Sequence, residues 1–95
     1  MGIIKKNVIE TKIRCLINST NLLETVYDVQ TKDFNVTFKG GRVYQYKNVD
    51  PKVYNQFELS ESHGKSFNQF FKTAPSTRLP DVDVTGILNE ISKIV

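Results

Sequence analysis

Phe34-Asn35-Val36-Thr37-Phe38-Lys39-Gly40-Gly41-Arg42-Val43-Tyr44-Gln45-Tyr46 decides how the rest of the chain is read. Side chains alternate across an extended strand with period two, so Phe34, Val36 and Phe38 share one face. Tyr44 and Tyr46 do the same on the following run. Gly40-Gly41 between them supplies the positive φ angles of a tight turn. The stretch predicts a β-hairpin with aromatic residues on both strands.

Working outward, Leu22 to Val29 also alternates, and Thr31-Lys32-Asp33 gives a polar turn into the Phe34 strand. Three consecutive strands with short connections make an antiparallel meander. Further upstream the pattern is ambiguous. Ile9, Ile13, Leu16 and Ile17 have helical spacing, whereas Ile13, Cys15 and Ile17 alternate as a strand does; residues 1–18 are read as a basic arm or an extra strand. Downstream the period changes. Asp50 and Pro51 form a helix-start signature. Val53, Tyr54 and Phe57 make one apolar face of a short helix, and Phe67, Phe70 and Phe71 a second, which Pro75 stops. Residues 74–82, with Pro80, read as a linker. Residues 83–95 read as an amphipathic helix capped by Asp83, with Ile87, Leu88, Ile91 and Ile94 in its stripe.

Ninety-five residues hold one core and no second. The apolar runs are too short for a membrane span, and the start lacks the apolar stretch of a signal peptide. The single cysteine, Cys15, excludes an internal disulfide and suits a reducing cytosol, so the expected location is the cytoplasm, that of the host if the chain is phage-encoded. The bias towards Asn, Lys and Ile resembles AT-rich coding, as in many phages and some bacteria. The net charge is +3, and the excess lies in residues 1–17, where Lys5, Lys6, Lys12 and Arg14 face only Glu10. Such an arm attracts phosphate backbones or is simply a solvated surface.

The order Tyr27-Asp28, Phe34-x-Val36-x-Phe38, Gly41-x-x-Tyr44-x-Tyr46, Val49, Val53-Tyr54, Ser62-x-Gly64 and Phe67-Asn68 resembles the KTSC domain across residues 19–73. Its hallmark Y-x-Y is Tyr44-Gln45-Tyr46 here. Asp50 departs from the pattern, since the family usually has proline there and this chain has it at Pro51. The family occurs alone in bacterial and phage proteins and at the C-terminus of some lysyl-tRNA synthetases. The resemblance therefore implies RNA as a ligand.

The residues give that implication a chemistry. Tyr44 and Tyr46 sit among Lys39, Arg42, Lys47 and Lys52, and aromatic rings with nearby cations can stack bases and neutralise phosphates. The competing reading packs both tyrosines under the helix of Val53 and Phe57. Ser62-His63-Gly64-Lys65-Ser66 is a glycine loop opening a helix, with Lys65 adding charge. It lacks P-loop spacing and equally reads as a helix–helix turn. Enzyme signals are poor. Cys15 and His63 are the only cysteine and histidine and have no visible orienting partner. One of each cannot fill a zinc site. Glu58 and Glu61 look like an exposed helix face.

The reading is thus an α+β domain: a three-stranded meander, two short helices and a C-terminal helix. The expected function is a non-enzymatic binding module without cofactor or metal. RNA would be held through Lys39, Arg42, Tyr44, Tyr46, Lys47, Lys52 and Lys65. The alternative is a protein-interaction or inhibitory factor that docks a host protein, or a second copy, through Ile87, Leu88, Ile91 and Ile94.

Overall fold

The computed structural model describes residues 3–17, 19–60, 62–71 and 74–94. The strands are β1 (Ile3–Ile9), β2 (Lys12–Ile17), β3 (Leu22–Asp28), β4 (Phe34–Phe38), β5 (Val43–Tyr46) and β6 (Thr77–Leu79). The helices are α1 (Pro51–Glu58), α2 (His63–Phe71) and α3 (Thr85–Ile94). The strands form one antiparallel sheet in the order β1-β2-β3-β4-β5-β6. The fold is α+β as expected, but the sheet has six strands and not three.

The expected meander is the middle of this sheet. The β1–β2 hairpin extends it on one side, and a three-residue strand from the expected linker extends it on the other. Strand β2 was ambiguous because both its faces are covered. Cys15 and Ile17 face the main core while Leu16 is buried on the reverse, which blurs the period-two signal. Strand β6 was hidden because Pro75 and Pro80 bracket it, and prolines are tolerated beside an edge strand.

Phe34 is the centre of the core. Its ring meets those of Tyr27, Tyr46, Tyr54, Phe57 and Phe71 at centroid distances of 4.9–6.5 Å. Helices α1 and α2 cover this face of the sheet, because Tyr54, Phe57, Phe67 and Phe71 belong to the same cluster as Val36. The start of α1 follows from its cap: Asp50 accepts from the Lys52 amide at 2.8 Å, with Pro51 in the first turn. A register shift between Leu22 and Glu24 lets consecutive residues Leu22 and Leu23 both be buried.

The second face is covered by α3. After β6 the chain passes the β4–β5 turn, where the Val82 amide donates to the Gly41 carbonyl at 2.9 Å. It then reaches β2 and β1, where Glu90 receives Arg14 and Lys5. Ile87 and Ile91 are half-buried there, whereas Leu88 and Ile94 remain 46% and 44% exposed.

Candidate nucleic-acid interface

The sheet register places Tyr44 and Tyr46 on the face that the helices cover, since Tyr44 pairs with Val36 and Tyr46 with Phe34. Tyr46 is 6% exposed and packs on Phe71 and Phe67 at 5.2 and 5.9 Å. That corrects its expected role: a ring spent on the core offers no face to a base. Burial also raises the Tyr46 phenol above its ordinary pKa. Tyr44 is half-buried, edge-on to Phe38 at 5.7 Å.

The expected cations are all exposed, but they do not form one frame. Arg42 precedes β5 and Lys47 follows it, so they sit roughly 15 Å apart at about 3.3 Å per residue. At one end, two adjoining depressions of about 240 and 280 Å³ share Thr20 and Asn21. The first is lined by Lys65 and the second by Lys39 and Arg42, and among the described residues neither has a carboxylate in its wall. At the other end stand Lys47 and Lys52.

The Ser62–Ser66 segment opens α2 as a helix–helix turn. The Lys65 amide reaches the Ser62 hydroxyl at 3.5 Å, and the Ser66 amide donates to the Ser62 carbonyl at 3.0 Å. His63 turns inward, and its Nε2–H donates to the Glu58 carbonyl at 3.1 Å. Cys15 is buried elsewhere, 3.6 Å from the Tyr54 hydroxyl, and burial pushes its thiol up. Glu58 is not a plain exposed carboxylate. It accepts from Tyr54 at 2.9 Å and pairs with Lys6 at 3.0 Å, which closes a buried polar chain from Cys15 to the surface. Glu61 lies outside the described residues. Among the described residues no three His, Cys, Asp or Glu side chains gather as a metal site requires. Among the described residues no helix is long and apolar enough to cross a membrane.

A groove of about 440 Å³ opens beside Lys47, and sequence reasoning did not find it. Tyr46, Val49, Val53, Phe70, Ala74 and Pro75 make its apolar walls; Gln45, Asn48, Asp50 and Ser76 add polar groups. It forms between the β5–α1 connection and the chain after α2, segments that no local pattern joins. Two signals mark its rims. Pro75 ends the α2 segment, and Asn48 takes a left-handed φ of 56°, which Asn tolerates better than most residues.

The comparisons with known proteins agree with this architecture. An uncharacterized protein from Stutzerimonas stutzeri (strain A1501) is 34% identical over 59 residues, covering 62% of this chain and 83% of that protein. The crystal structure of a KTSC domain protein from Yersinia pestis superposes with a TM-score of 0.66 at 22% identity, over 70% of this chain and 96% of that one, and so shares its fold. Residues 18–74, which hold the central meander and both of its helices, match the KTSC domain, and the chain belongs to that family.

Proposed function

We propose that this chain is a non-enzymatic binding module whose ligand is single-stranded RNA. One observation carries the reading. Lys39, Arg42, Lys47, Lys52 and Lys65 are exposed and hold no carboxylate among the described residues, whereas Lys5, Lys6, Arg14 and Arg78 are each tied to one. Ion pairing spends most of the N-terminal arm on the fold, so among the described residues most of the exposed, unpaired cations lie on the family domain, Lys12 and Lys93 lying outside it. Unpaired cations at both ends of β5 suit a flexible strand that spans them, since single-strand sites track the backbone with positive charge.

A gel-shift titration with mixed-sequence single-stranded RNA at low and moderate salt tests this. Affinity is expected to fall with salt by a slope of about −0.7 per phosphate neutralised. No shift at about 100 µM protein in low salt overturns it, that being the weak end of non-specific binding.

A second reading has one observation in its favour. Leu88 and Ile94 of α3 are exposed on either side of the half-buried Ile87 and Ile91, so both edges of the docked helix face stay apolar. A partner protein, or a second copy, docked along those edges would be lost in Leu88→Asp and Ile94→Asp without loss of RNA binding.

A further inference from the structure

The groove beside Lys47 has no role in phosphate contact by itself, because its walls are largely apolar. Its volume, about 440 Å³, lies within the 300–1,000 Å³ usual for small-molecule sites. Three features narrow the occupant. The walls offer aromatic and aliphatic faces in Phe70, Val53, Ala74 and Pro75. Asn48 and Ser76 supply both donors and acceptors, and Asp50 supplies an acceptor for an amino group. Lys47 lines the groove, and Lys52, in the first turn of α1, flanks it. A flat, heteroaromatic ring with a polar edge and an attached anionic group meets all three.

We infer that the groove is a pocket for one unstacked nucleobase, with its phosphate held by Lys47 and Lys52. This rests on the RNA reading above and deepens it, since phosphate contacts position a strand while a base pocket grips it. The same chemistry is offered by a free nucleotide, and the experiment separates the two sources.

The test uses the full chain and two groove-filling variants. Ala74→Phe places a ring inside the wall; Ser76→Trp does so from an exposed position where the fold tolerates it better. Each variant is expected to weaken single-stranded RNA binding about 5- to 150-fold, the span of one base–aromatic stack, with the salt slope unchanged. In the wild-type protein, the Val53 and Ala74 methyl resonances are expected to shift with 5′-AMP or 5′-UMP and not with inorganic phosphate. If both folded variants bind RNA as the wild type does while Lys47→Ala weakens it, the pocket is overturned and the RNA reading stands. If the wild type binds no RNA but the methyls shift with nucleotide, the RNA reading falls and the pocket holds for a free nucleotide. Methyls that shift with neither nucleotide nor oligonucleotide overturn the pocket, and this readout decides also where melting curves show that both variants are unfolded.

Discussion

Arg14 on β2 grips Glu90 on α3 with two nitrogens, Nη2 to Oε1 at 3.0 Å and Nη1 to Oε2 at 3.2 Å. Lys5 on β1 adds a third contact at 3.2 Å. These cations, Arg14 first, hold the Glu90 carboxyl down to about 2 from an ordinary value of 4.5. A carboxyl depressed in the folded state stabilises the docked helix above its unfolded pKa, and loses that effect as pH falls towards the folded one. The protection of α3 amides, relative to their intrinsic exchange rate at each pH, is therefore expected to be high at pH 6 and to fall between pH 4.5 and about 2. Glu90→Gln should flatten that dependence. An α3 equally protected at both ends of the range contradicts the latch.

Phe34→Ala should be among the most damaging single changes. The side chain is fully buried and meets five aromatic rings, so removing it leaves a cavity that rigid neighbours cannot close. The expected loss is about 3–5 kcal/mol, a large fraction of the stability of so small a domain. Urea denaturation measures it, and a loss under about 1 kcal/mol would contradict the central position of this ring.

The glycine pair separates into two roles. Gly41 has φ +93°, and a Cβ there would sit 2.7 Å from the Val82 carbonyl oxygen, a backbone atom that cannot swing away. Gly40 has nothing within 4 Å. Gly41→Ala is expected to cost roughly 1–3 kcal/mol and to loosen the crossing from β6 to α3, while Gly40→Ala stays within about 0.5 kcal/mol of wild type. Thermal melts of the two variants side by side check the contrast.

Arg42→Ala and Lys47→Ala should each weaken RNA binding alike for all sequences and reduce the salt slope by about one unit. Tyr46→Ala, by contrast, should lower the melting temperature, because its ring belongs to the core. Gel shifts paired with melts distinguish the two effects. A Tyr46→Ala variant that melts like wild type but binds poorly would return this ring to the interface.

The middle of the fold was legible because Phe34, Val36 and Phe38 alternate with the polar Asn35 and Thr37, although Thr37 is itself buried. The caps of α1 and α2 were legible for a similar local reason, since Asp50-Pro51 and Ser62 act within one turn. The flanking strands were not. Leu16 is buried on the face opposite Cys15, and nothing in residues 12–17 announces a helix some seventy positions away. The same distance hid the groove. The basic residues were read as one frame, but they are exposed at separate places, because β5 holds Arg42 and Lys47 at its opposite ends.

That every strand pairs with its chain neighbour has a kinetic consequence. From β1 to β5 each added strand closes only a short loop, so the entropy lost at each step stays small and these five can zip hairpin by hairpin, whereas β6 joins only across the stretch that holds α1 and α2. The Lys5–Glu90 and Arg14–Glu90 contacts span 85 and 76 positions and close the longest loops among the described side-chain bonds. We expect the α3 contacts to form late, after the rate-limiting barrier. The latch slows the unfolding of the finished molecule while leaving the speed of its assembly to the local turns.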